Sequence, residues 1–407
     1  MALARGINKQ LIIAREATFG TLAASSGGRV LRRLNGALSL TKDGIRSQEI
    51  LPSQQFRDAR HGVRRVVGSL SGQLSPGAYQ DFFEGMLRRQ FAVGATTGPL
   101  STIGAAAGPP GTFTRTGGSF LADGFKVGDV VRWTGWATTG TDNNARNYRI
   151  VNLTATVMTV SGLGNEVVST KAAGDTVTCA VVGKKTFIPV ANQGRYSYSV
   201  EQYFGDSDVP ISERFSGVRV QGARISLPPT GMVTADFQMM GQKMVEGTAP
   251  YFTAPTPPTT DNSLVAVNGA VRFNGVDVAL ITGAQLNIST SMDAQPVLGS
   301  DVVPDIFEGA LSVEGQASVY VQDNSFQQLF LNEAEVDLHF YMTSDGTINS
   351  PFISIVLNRV KLFSATKSDS DRAIIQSIAF QALEHTTGAG AGTKFEQTTI
   401  TMQDSSL

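Results

Sequence analysis

Residues 75–89, SPGAYQDFFEGMLRR, place Tyr79, Phe82, Phe83, Met86 and Leu87 at helical spacing. The spacing predicts an amphipathic helix, with Ser75 as N-cap and Pro76 at the first helical position, where a missing N–H costs nothing. A shorter version, DNSFQQLFLN, sets Phe326, Leu329 and Phe330 on one face. Both stripes read as core packing, because aromatic residues in such clusters bury. The rest of the chain alternates with a period of two. In RFSGVRVQGARISL, Val218 and Val220 share one face, and Ala223, Ile225 and Leu227 then continue on the opposite parity. Ile355 and Leu357, followed by Val360 and Leu362, repeat the slip. One extra residue in a strand, a β-bulge, produces such a slip. The expected class is all-β, with one short helix per module.

The repetition is itself informative. Displaced by 247 positions, residues 36–83 align without a gap on 283–330, with 12 of 48 identical, among them Asp58/Asp305, Gly62/Gly309, Val66/Val313, Gly68/Gly315 and Phe83/Phe330. Chance gives about three or four at ordinary residue frequencies. Further on, a displacement of 137 pairs Ser207-Asp208 with Ser344-Asp345 and Phe215 with Phe352, so the first copy carries 110 extra residues. Gly- and Pro-rich punctuation at 93–111 marks where they enter. The expected organisation is two tandem β-sandwich or barrel modules plus an inserted small SH3-like β-barrel. The first module takes 1–94 and 185–248, the insert 111–184, a linker 249–262, the second module 263–386 and a C-terminal arm 387–407, whose strand is expected in KFEQTTITM. Within the insert, Trp133, Trp136 and Tyr148 read either as a surface for sugar or peptide or as core of a small barrel.

Composition narrows the function. Of 407 residues only 16% are charged, 43 are glycine and the net charge is -1, so nothing drives the whole molecule toward DNA or an anionic membrane. Weak surface repulsion suits self-association. The lone cysteine, Cys179, excludes an internal disulfide. The early apolar run LIIA, flanked by Lys9 and Arg15, is too short for a secretory segment, and no apolar run is long enough to span a bilayer. A water-soluble product of the cytoplasm is expected. His61, His339 and His385 form no metal-ligand spacing, GDSD at 205–208 reads as a turn, and no nucleophile or phosphate-loop motif is present. No catalytic residue, cofactor or metal is expected.

Charge is distributed unequally between the copies. Residues 36–68 hold Lys42, Arg46, Arg57, Arg60, Arg64 and Arg65 against Asp43, Glu49 and Asp58, a net of +3. Residues 283–315 hold Asp293, Asp301, Asp305, Glu308 and Glu314 and no cation, a net of -5. A grip on nucleic acid has no use for an acidic twin. Related loops that meet complementary surfaces in an assembly use such opposition to fix register and partner. Solvated loops of drifting charge are the alternative. The contact candidates between subunits are Arg57, Arg60, Arg64, Arg65, Asp301, Asp305 and Glu308.

SQEILPSQQFRDARHGVRRVVGSLSGQLSPGAYQDFFEGMLRR, with YSVEQYF and SERFSGVRVQGARISL after the insert, resembles the tail tube (major tail) proteins of long-tailed bacteriophages. The resemblance implies a virion structural protein with a β-sandwich or barrel and a flanking helix, polymerised as stacked rings around a DNA channel. It also implies that the loops near 41–62 and 288–309 reach neighbouring subunits and that the insert lies outside the tube. The implied partners are further copies of the chain, tape-measure and tail-tip or terminator proteins, and viral DNA passing without specific binding, with no membrane. If each module gives four strands to the wall, six modules supply about 24 strands, a backbone diameter of roughly 37 Å. Side chains narrow this by about 10 Å and still admit a duplex about 20 Å wide. Three duplicated chains then complete a pseudo-sixfold ring. The alternatives are a tail-tip or adaptor ring protein, or a carbohydrate-binding adhesin.

Overall fold

The structure, a computed structural model, describes residues 3–50, 52–53, 55–108, 110–137, 143–162, 167–278, 280–368, 373–388 and 392–407. The first stretch forms β1 (Lys9–Arg15), β2 (Arg29–Val30), β3 (Asn35–Arg46), β4 (Ala59–Gln73), the helix α1 (Gln80–Leu87) and β5 (Ala92–Val93). The inserted residues form β6 (Ile103–Ala106), β7 (Gly111–Arg115), β8 (Val130–Thr134), β9 (Tyr148–Leu153), β10 (Val157–Gly162) and β11 (Thr178–Val181). The chain then returns with β12 (Lys184–Phe187), β13 (Tyr198–Phe204), β14 (Ile211–Leu227), β15 (Thr234–Gly241) and β16 (Lys243–Gly247). The last part forms β17 (Val265–Phe273), β18 (Val276–Asp277), β19 (Ile281–Asp293), β20 (Phe307–Tyr320), α2 (Ser325–Leu331), β21 (Glu335–Thr343), β22 (Phe352–Lys367), β23 (Ile375–Ala382) and β24 (Thr401–Asp404). The all-β class with one short helix per module is what the alternating pattern predicts.

The two halves pair their strands in the same antiparallel order. The first runs β3-β4-β15-β14-β13-β1 and the second β19-β20-β23-β22-β21-β17. The long strands β14 and β22 serve two layers, and the parity slips seen in the sequence are their bulges. Gln221 is the extra residue of β14 against β15, and Asn358 and Arg359 oppose one residue of β21. These are two different bulges: the counterpart of Gln221 is Phe363, against β23, and that of Asn358 and Arg359 is Ser216 and Gly217, against β13, so β14 matches β22 at a displacement of 142, not 137, and Phe215 corresponds to Leu357, not Phe352. A bulge bends the strand so that its two ends join different layers. The C-terminal half of β14 also pairs with β19, from Gly222 opposite Ser289 to Leu227 opposite Ala284. An unbroken ladder of eight strands therefore runs β3-β4-β15-β14-β19-β20-β23-β22. One shared core lies against it: Tyr79, Phe82 and Phe83 of the α1 region surround Phe237 at ring distances of 5.1, 4.6 and 5.5 Å, and Phe326 of α2 meets Phe273 at 4.9 Å.

Several local expectations are corrected. The first helix starts at Gln80, not at Ser75-Pro76. Gly77 is in the left-handed region (φ 71°), which breaks the helical path after Pro76, and the Ser75 hydroxyl instead accepts from Arg32 and donates to the Asp261 carbonyl. The ungapped alignment also slips by one residue in β3. Burial falls on Gly36 and Leu38 there and on Ala284, Leu286 and Ile288 in β19, a displacement of 248, whereas Val66 and Leu70 of β4 match Val313 and Ala317 of β20 at 247. The period of two makes that single residue decisive, since it exchanges the faces. The 249–262 segment is docked: Glu201 accepts the Tyr251 and Phe252 N–H groups at 2.6 and 3.1 Å, and Phe252 is buried with Ile12 and Ala23.

The inserted strands form their own sheet, β11-β8-β9-β10-β7-β6, and antiparallel bridges Thr96–Ala180, Leu100–Val177 and Ala105–Lys171 close it on itself. The barrel is fastened to the second half by Asn147, which donates to the Tyr341 hydroxyl and the Ser350 carbonyl, and by an Arg149–Asp277 ion pair. The terminal strand occupies Thr401–Asp404, beyond most of the expected segment, wedged between β12 and β22. Its Asp404 carboxylate accepts the Gly77 and Ser406 N–H groups at 2.8 and 2.9 Å, and burial pushes its pKa up to about 6 against those bonds. The native state therefore keeps a proton that the unfolded chain loses near pH 4. This contribution to stability is complete below about pH 4 and lost as pH rises through about 6, at most about 3 kcal/mol. Urea midpoints at pH 4.5 and 7 are expected to fall more for the wild type than for Asp404→Asn, and equal falls would refute the assignment.

Candidate functional site

Along the eight-stranded ladder every second side chain enters the core, and the others form a solvent-facing surface. That surface is built largely from small uncharged polar groups, among them Ser69, Ser71, Gln238, Asn287, Gln316 and Ser377. Its charges come as opposed neighbours. Arg65 bonds Asp43 at 2.9 Å, Arg224 stands opposite Asp236, and Glu314 and Lys361 flank Gln381 from two sides. The surface thus presents hydrogen-bonding groups with little net field.

The seven charged contact candidates fall in two places. Arg57, just before β4, is exposed, and Arg60, at its start, is exposed with Asp58 at 3.0 Å. Arg65 pairs with Asp43 as above. Arg64 pairs with Asp301 at 3.2 Å, and its N–H donates to the Asp301 carbonyl, so the second-copy loop lies on β4 of the first half. Asp305 meets Arg195 at 2.8 Å and Arg219 at 2.9 Å, while Glu308 meets Arg88 and Arg219, each at 3.3 Å. Burial pushes the Glu308 carboxyl upward, opposed by Arg219 and Arg88, and burial lowers Arg219, opposed by Glu308 and Asp305. Beneath these pairs Ala294, Val303 and Ile306 are buried with Phe19, Val63 and Met240. Asp301, Asp305 and Glu308 therefore hold the two halves of one chain together. Arg88, Arg195 and Arg219 were missed in the sequence, because they are scattered singly among strands.

Trp133, Trp136 and Tyr148 lie within the core of the inserted barrel, each at most 2% exposed, stacked around Phe113. They form no sugar-binding platform, which removes the feature that suggested an adhesin. His339 is buried against the Ser354 hydroxyl at 2.6 Å, and burial holds its pKa well below the ordinary range. Among the described residues no cluster of His, Cys, Asp or Glu is placed to hold a metal, and no helix is long and apolar enough to cross a membrane.

A large polar sheet face and open sheet edges give this β-protein extended surfaces suited to association. The sequence model of the phage tail tube protein family matches residues 6–382, and the chain belongs to that family. It is thus a structural protein of the virion tail that assembles with itself into a tube. No curated protein matches the sequence.

Proposed function

We propose that three chains close a pseudo-sixfold ring, that rings stack into the tail tube, and that the polar face of the eight-stranded ladder borders the channel through which viral DNA leaves. The observation that carries this is the β14–β19 junction. Inside one chain, the last wall strand of the first half pairs with the first wall strand of the second. The corresponding strands at the two ends of the ladder, β22 and β3, have no outer strand partner among the described residues beyond Leu362 and from Ser39 onward. Gly36 and Leu38 already have their outward groups bonded to Lys9 and Gln202, so the open edge of β3 is its exposed second half. Exposed edges of this kind seek a strand, and joining β22 of one chain to the open second half of β3 of the next extends the ladder as β14–β19 does within the chain, over a shorter stretch because Gly36 and Leu38 are taken. Eight strands per chain then give the 24 that a duplex-sized bore requires.

In this reading the chain divides into two modules and an inserted barrel that already takes in β6, ahead of the expected start at 111, and projects outside the wall, Arg57, Arg60, Arg64 and Arg65 lie near the contact between subunits, and Asp301, Asp305 and Glu308 serve the equivalent contact within a chain. Tape-measure and tail-tip or terminator proteins are further partners of the finished tube. Electron cryomicroscopy of assembled tubes is expected to show three chains per ring. Six chains per ring, or a bore lined by the α1 and α2 side, would overturn the proposal.

A further inference from the structure

The internal contact has a vacant counterpart on the second half. The ladders make Tyr198 equivalent to Val336 and Val218 to Val360, so Arg195 corresponds to Glu333 and Arg219 to Lys361. The registers of β4 and β20 match at a displacement of 247, which makes Arg60 equivalent to Phe307 and Asp58, just before β4, equivalent to Asp305, just before β20. Where Arg195 and Arg219 receive the 305–308 segment, the second half has an open hollow of about 470 Å³ lined by Phe330, Leu331, Glu333, Lys361, Leu362 and Phe363. Leu331 and Phe363 are exposed there, as is Phe56, whose counterpart Val303 is fully buried in the internal contact.

We infer that this hollow receives residues 56–61 of a second copy of the chain, with Arg60 on Glu333 and Asp58 on Lys361. The pairing follows from the internal contact. Asp305 meets Arg219 at 2.9 Å, and Asp58 facing Lys361 preserves that pair. Phe307 lies 6.0 Å from the Arg195 guanidinium, and at the equivalent place Arg60 faces Glu333, so a cation on an aromatic ring becomes an ion pair of the opposite sense. The exchange makes the two contacts mutually exclusive. A basic loop offered to the first half meets Arg88, Arg195 and Arg219, and that receptor is already filled by the chain's own acidic loop. Like-charge juxtaposition costs several kcal/mol at an interface. First and second halves must therefore alternate around the ring.

The inference rests on the ring reading, and the test separates the two. Arg60→Glu and Glu333→Arg are surface changes that leave the monomer folded by circular dichroism. Each is expected to raise the protein concentration needed for assembly by roughly tenfold or more, and the double variant to recover most of the loss. In a second measurement, Arg60→Cys with Glu333→Cys is expected to give disulfide-linked dimers and trimers on non-reducing gels, the native Cys179 being buried. If the wild type forms trimeric rings while both single reversals assemble normally and no linked chains appear, the docking assignment is wrong and the ring reading stands. A wild type that forms no ring overturns both.

Discussion

Tubes built from chains carrying Ser69→Arg, Gln238→Arg and Asn287→Arg are expected to assemble and yet to hold their DNA. All three side chains are exposed on the polar face of the ladder, so the substitutions fill no core space. Three chains add about nine cations per ring, and a protein that neutralises that many phosphates binds with a constant that changes about 10³- to 10⁵-fold between 50 and 200 mM salt. Release of DNA from variant particles should therefore be slowed at least about a hundredfold at low salt and recover as salt is raised. The same positions changed to Glu should leave release near the wild-type rate. Unimpaired release by the arginine variant at low salt would mean that this face does not border the channel.

Loss of Arg219 is expected to be the most damaging single change at the junction of the halves. Its side chain is 4% exposed and satisfies Asp305, Glu308 and the Ile306 carbonyl at once. Arg219→Ala leaves Glu308, 6% exposed, with Arg88 as its remaining ion-pair partner among the described residues, and Asp305 with Arg195. Removing one member of a buried charge set costs about 3–5 kcal/mol because the remainder stays desolvated. The free energy of unfolding from denaturant titration should fall by that amount, and Arg219→Ala combined with Glu308→Gln should lose less than the single changes predict together. Strict additivity would show that the two groups do not interact.

What the sequence revealed follows from which signals are local. The helical stripe of Tyr79 to Leu87, the bulges near Gln221 and Arg359, and the repeat all depend on neighbours in the chain, and each appears as an element or a matched ladder. The start of α1 depended on Gly77 adopting a positive φ and on Arg32 claiming Ser75, contacts from distant segments. The slip between β3 and β19 is one residue, below what a quarter identity can resolve, yet it decides which side chains face the core. The opposition of charge between the loops was visible, but not that Asp305 and Glu308 are answered by Arg88, Arg195 and Arg219 of the same chain, whose positions span more than a hundred residues.

The wedging of β24 between β12 and β22 has a consequence for synthesis. Residues 401–404 follow both β12 and β22 in the chain, so neither strand gains this neighbour until residue 404 has been made. Earlier segments can fold as they emerge. Completion of this part of the sheet waits for the last-made of its three strands.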